Sequence, residues 1–293
     1  MEDIFNRLKR LFKNGNILAK LIFINAGVFI LIRLSDVFIT LFNIPSLSAL
    51  PQLQLPSSIE LFLHRPWTII TYMFTHFDFW HIGFNMLLLY GFGRIFLLFL
   101  NLRQMCGVYL LGGIAGGMLY ILAYNLVPYF SEDAPAKLMG ASASVMAIVF
   151  AVSFYRKEYE IHLVLLGRLK LIYIALAVFL VDLLSITSSN AGGHIAHIGG
   201  ALLGIGFACR LLGRGKDMTA PLNRLLDRII NLGKRKPKSK STFRRAETKY
   251  DFNARRNAEI AEMDSILDKV KQSGYSSLSA EEKKKLFDSS KKL

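Results

Sequence analysis

Ser142, His197, His81 and Asn85 each place a polar group inside an otherwise apolar stretch, and together they are the side-chain types that acyl transfer needs. A histidine can take the proton of a serine hydroxyl as its oxygen attacks. An asparagine amide and a second imidazole can donate to the oxyanion that then forms. A serine in such a stretch means little by itself, because small residues line helix contacts in membranes. Depth decides. Ser142 precedes Arg156 by fourteen residues, about 21 Å of helix at ~1.5 Å per residue. His197 precedes Arg210 by thirteen residues, as His81 precedes Arg94, each about 20 Å by the same rise. With those arginines marking one membrane face, all three groups share one level, roughly 10 Å below the opposite edge of a ~30 Å core. Asn85 follows His81 by four residues, on the same helix face one turn deeper. In "GGHIAHIGGALLG", Gly193, His197, Gly200 and Gly204 recur at helical spacing, which lets that helix approach a neighbour almost backbone to backbone.

The elements that must position these groups follow from hydropathy and charge. The chain has 293 residues, 53% of them hydrophobic, and a formal charge of +15. The two properties occupy different regions. Residues 214–293 hold 21 of the 36 Lys and Arg and 11 of the 21 Asp and Glu, so a membrane body precedes a basic tail. Six apolar stretches long enough to span a bilayer lie near 17–42, 81–100, 104–127, 138–155, 166–187 and 194–212. Arg33 and Asp36, three residues apart in the first, can neutralise each other. Basic residues cluster before the first span (Arg7, Lys9, Arg10, Lys13), between the second and third (Arg94, Arg103), after the fourth (Arg156, Lys157) and after the sixth (Arg210, Arg214). The positive-inside rule therefore predicts both termini in the cytoplasm and a site opening to the other side. The connection 43–80 is too apolar for a solvated loop and too broken by proline for a span, and reads as an element in the membrane interface. The charged N-terminus lacks the form of a cleavable signal. Cys106 and Cys209 both sit in apolar segments and suggest neither a disulfide framework nor a thiolate metal site.

The motifs "GASA" at 140–143, "AHIGGALLG" at 196–204 and "HFDFWHIGFN" at 76–85 resemble the rhomboid intramembrane serine proteases. Each is modest alone; their order along residues 17–212 is specific. The resemblance implies an all-α, six-helix membrane bundle with an interfacial element between helices one and two. It further implies a Ser–His dyad without an aspartate: Ser142 as nucleophile and His197 as general base. His81, Asn85 and the Ser142 backbone N–H would hold the oxyanion, and His76 would shape the site. Substrates would be other transmembrane proteins, and no cofactor or metal is implied. Three positions depart from the family pattern: Thr68 follows Trp67 where arginine is frequent, Leu97 replaces a glutamate, and Met146 replaces a tyrosine that stacks on the base.

Competing readings exist for single residues. Ser144 reads as a packing serine, and His194, preceding the glycine face, as a solvated group rather than the base. Asp182 is a lone acid within its span, whereas an aspartyl mechanism needs two carboxylates. The metalloprotease motif H-E-x-x-H is absent. Gly112, Gly113, Gly116 and Gly117 read as internal packing rather than a dimer face. For the whole chain, the rivals are an inactive rhomboid-like protein that binds client proteins and a transporter. Residues 1–16 form a basic amphipathic N-terminus and 17–213 the membrane domain. Residues 214–258 read as a disordered basic linker attracted to anionic lipid, with nucleic acid not expected as a partner. Residues 259–293 contain a helical hairpin with a capping box at Ser279 and Glu282, open to a cytoplasmic partner.

Overall fold

A computed structural model describes residues 17–131, 136–163, 167–188, 190–231, 262–263, 265–271 and 273–290. The basic N-terminus, most of the linker and Ile260 of the expected hairpin lie outside these residues. Residues 1–233 form one compact unit and 234–293 a second.

In the first unit, seven helices carry the architecture: α1 Ile17–Leu41, α2 Phe79–Phe99, α3 Leu102–Leu126, α4 Ser142–Tyr155, α5 Leu171–Leu184, α6 Ala191–Arg214 and α7 Ala220–Asn231. Four of them, α1, α2, α3 and α6, are long and apolar enough to cross a membrane. Helices α4 and α5 are apolar but only 14 residues long, about 21 Å at ~1.5 Å per residue. The fourth and fifth expected spans are therefore shorter than the six-span reading assumed. In α4 the cause is Gly140, whose φ of +125° breaks the chain direction just before the helix. Ser142 thus stands at the helix N-terminus.

Every residue of α4 from Ala143 to Ser153 is buried, so this helix is the axis around which α2, α3 and α6 pack. Small residues permit it. A Cβ placed on Gly200 would lie 2.0 Å from the Ala143 carbonyl oxygen, and one on Gly204 would lie 2.4 Å from that of Ala147. Gly112 and Gly116 do the same for α3 against Ala147 and Ala143, which bears out their reading as internal packing. Helix α5 is peripheral: Leu171, Ala175 and Asp182 are buried, while Tyr173, Leu176, Leu180, Val181 and Leu184 face outward.

The connection between α1 and α2 folds into short helical turns (45–47, 50–53, 59–64, 68–71 and 72–74) and a two-residue strand, β1 Leu55–Pro56. β1 pairs antiparallel with β2, Lys137–Leu138, tying this element to the segment that enters α4. The Gly140 N–H donates to the Tyr72 carbonyl (2.9 Å), and the Tyr72 hydroxyl donates to the Gly113 carbonyl (2.6 Å). A second antiparallel pair, β3 Glu160–Leu163 with β4 Gly167–Lys170, joins α4 to α5. In α1, Arg33 and Asp36 pair at 3.6 Å as their spacing predicts.

The linker reading is corrected at α7. Pro221 and the apolar positions Leu222, Leu225, Leu226, Ile229 and Ile230 give one helical face, where net charge alone had suggested a structureless segment. Its polar edge is fixed to the start of α3: Asn223 Nδ2 donates to the Arg103 carbonyl (3.1 Å), and Asp227 pairs with Arg103 (3.1 Å). In the second unit, Ala280–Ser290 is helical and the expected capping box is present. The Ser279 N–H donates to the Glu282 carboxylate (2.7 Å), and the Glu282 N–H donates to Ser279 Oγ (3.3 Å). Lys269–Glu282 and Lys285–Glu262 pairs link this helix to residues 262–271.

Candidate active site

Ser142, His81, Asn85, His197 and Met146 line one cavity of about 280 Å³. The three groups that sequence reasoning set at one depth and the asparagine one turn deeper are thus brought together, Ser142 from α4, His81 and Asn85 from α2, and His197 from α6. Met146 sits one turn below Ser142 and supplies an apolar wall where the family pattern has an aromatic ring. A larger cavity of about 400 Å³, lined by Asp78, His81, Lys137, Asn190 and Gly193 among others, shares His81, Met139, Asn190 and Gly193 with the first.

The hydrogen bonds fix how these groups present themselves. Asp78 caps α2, its carboxylate accepting from the His81 N–H (2.7 Å). His81 Nδ1 accepts from the Phe77 N–H (3.4 Å), so the neutral ring carries its proton on Nε2. That nitrogen faces Gly140 at a distance which excludes a side chain: a Cβ there would lie 2.7 Å from it. Glycine is therefore required at 140 by its φ and by its neighbour. His76 is buried, stands edge-on to His81 with ring centroids 5.1 Å apart, and accepts the Ala141 N–H on Nε2 (3.4 Å). Burial and the neighbouring His81 push its pKa down to about 4, so the ring stays neutral near pH 7. With the Ala141 N–H taken by His76, the Ser142 N–H in the first turn of α4 is a donor without an intrahelical partner. Asn85 Nδ2 donates to the His81 carbonyl (2.8 Å). One amide hydrogen is used there, and a second remains.

One expectation is corrected: the resemblance implied a Ser–His dyad without an aspartate, yet Asp182, the single carboxylate of its helix, has its Oδ1 2.9 Å from His197 Nδ1 and 2.7 Å from His194 Nδ1. His194 is a half-buried partner of that carboxylate, its side chain 20% exposed. Asp182 and His194 are equidistant from position 188 in the turn joining α5 to α6, which sets them at one level of the folded-back helix pair but not the direction either side chain takes. Ser144, as expected, points away from the cavity; its Oγ would lie 2.6 Å from a Cβ on Gly113 in α3. Of the other departures, Thr68 is buried and donates to the Arg65 carbonyl (2.7 Å), and Leu97 packs against the core.

An apolar bundle holding a serine at a helix N-terminus, two donors beside it and a histidine across from it defines an integral membrane protein of the rhomboid class. The rhomboid domain family matches residues 63–214, just over half of the chain, and the chain belongs to that family. A family of unknown function, DUF6576, matches residues 248–292. The chain is also similar to the presenilin-associated rhomboid-like protein, mitochondrial, of Homo sapiens and of Mus musculus. It is 29% identical to each over 146 residues, which cover 45% of this chain. The match spans 34%, about a third, of the length of those relatives.

Proposed function

We propose that this protein is an intramembrane serine endopeptidase that cleaves transmembrane proteins, with its termini in the cytoplasm and its site opening to the opposite side. The observation that carries this reading is the shared cavity of Ser142, His197, His81 and Asn85. Membership of a family that generally comprises intramembrane serine proteases supports it.

The chemistry follows from the donors and acceptors. Asp182 accepts a hydrogen bond at His197 Nδ1, which keeps the proton on that nitrogen and leaves Nε2 as the basic one. The Ser142 hydroxyl gives its proton to Nε2 while Oγ attacks the scissile carbonyl. The oxyanion is stabilised by the Ser142 N–H, His81 Nε2–H and the remaining Asn85 amide hydrogen. The imidazolium then returns its proton to the leaving amine, and a water repeats the sequence on the acyl-enzyme to release the acid and restore Ser142. His76 is a positioning residue that acts through the Ala141 backbone.

Labelling with a fluorophosphonate probe in detergent tests the assignment. Wild type and Ser144→Ala are expected to label, and Ser142→Ala to lose labelling. Loss in Ser144→Ala alone would overturn it.

A further inference from the structure

Orienting His197 requires one carboxylate oxygen and one imidazole N–H, yet Asp182 Oδ1 is met by two rings, those of His194 and His197. The second ring is surplus to the catalytic role. The two histidines stand three residues apart on one face of α6, each turning Nδ1 toward the same oxygen. All three donor atoms lie within 4.8 Å of one another. Two imidazole nitrogens and a carboxylate form a donor set for a borderline divalent ion that leaves a further position open to water.

Building on the proteolytic reading above, we propose that Asp182, His194 and His197 form a zinc-class divalent metal site, and that filling it switches the enzyme off. Tetrahedral zinc with ligands at about 2.1 Å holds neighbouring donors about 3.3 Å apart. The present separations of 2.7 and 2.9 Å require the carboxylate and rings to part by roughly half an ångström, within side-chain adjustment at a helix pair. Access exists: the histidine side chains are 20% and 17% exposed, and His197 lines the cavity that adjoins the polar one.

The switch follows from imidazole chemistry. A neutral ring that binds metal through Nδ1 carries its single proton on Nε2. That nitrogen is the one that must accept from Ser142. Metal binding moves the proton from one ring nitrogen of His197 to the other and leaves no base for the hydroxyl. No bond in the substrate or redox change is involved, so inhibition reverses when the ion is withdrawn.

The experiment separates this site from the proteolytic reading. Untagged full-length Ser142→Ala in detergent is titrated with zinc chloride against a chromophoric chelator, which needs no activity. About one zinc per chain is expected. Adding His194→Ala or His194→Gln raises half-saturation by roughly tenfold or more, since even outer partners of metal ligands carry effects of that size. His194→Gln retains a donor to Asp182 and so guards against misfolding. In parallel, zinc is expected to block fluorophosphonate labelling of wild type, with recovery on chelation, and either His194 substitution to label normally without zinc and to resist it. The absence of stoichiometric binding, or binding unaffected by both His194 variants, overturns the metal site. Binding as expected together with an enzyme that never labels would sink the proteolytic reading and leave the metal site standing.

Discussion

Asp182 Oδ1 lies 2.9 Å from His197 Nδ1, across from the ring nitrogen assigned to Ser142. Asp182 is one of three buried residues on a helix whose other side chains are mostly exposed. Asp182→Asn keeps the shape and removes the acceptor charge that selects the tautomer. Turnover is expected to fall by about 10²- to 10⁴-fold with KM little changed, the scale seen for the equivalent change in soluble serine proteases. Steady-state cleavage of a transmembrane substrate measures it. Unchanged kcat would show that His197 keeps its tautomer without help.

Asn85→Ala is expected to lower kcat and spare substrate binding, because an oxyanion donor acts mainly in the transition state. Loss of one donor costs about 10²–10³, less here if His81 and the Ser142 N–H compensate. A variant with full kcat and weakened KM would remove Asn85 from the oxyanion site.

Gly200→Ala pushes a methyl group to 2.0 Å from the Ala143 carbonyl oxygen, and backbone cannot yield as a flexible side chain does. Destabilisation of about 1–3 kcal/mol is expected. Gly206→Ala on the same helix meets nothing within 4 Å and serves as the control. Thermal unfolding in detergent should separate the two; equal midpoints would mean α4 and α6 are less closely packed than described.

His76 gives stability a pH dependence of definite sign. Above pH 6.5 the ring is neutral whether the chain is folded or not. As pH falls, the unfolded chain binds the proton first, while the folded protein resists until about 4. Stability therefore drops across that window, by about 3 kcal/mol when complete. His76→Gln should lose less stability than wild type between pH 7.5 and pH 5. Parallel pH curves for the two proteins would show that His76 is not the group responsible.

Cutting the chain after Gly233 should leave proteolysis intact, because the residues of the cavity all belong to the unit ending there. A cut at Arg214 is a different experiment. It removes α7 and with it Thr219, whose side chain packs on Gly107, and Asn223 and Asp227, which hold Arg103. The shorter protein is expected to have a lower thermal midpoint than the longer one. A chain ending at Gly233 that folds yet is inert would assign the C-terminal unit to the active machinery.

The common depth of Ser142, His197 and His81 was legible in the sequence because helix rise is uniform and charged residues mark a membrane edge. The closeness of α6 to α4 was legible for a similar reason: glycines recurring on one helical face, at 193, 200 and 204, have few other uses in an apolar helix. The capping box at Ser279 needed four residues and no partner. What the linear chain could not decide depended on rotation and on ends. Apolar composition alone does not show that α4 starts at Ser142, since Gly140 breaks a stretch that is hydrophobic on both sides. Charge count hid α7, because its basic residues lie on one face of a helix whose other face is apolar. The pairing of Asp182 with histidine was missed because hydropathy reports how far along a span a residue lies and says nothing about which way it points. Only the packing of α5 on α6 turns that carboxylate inward onto His194 and His197, since the rotation of one helix against another is set by contacts between residues distant in the chain.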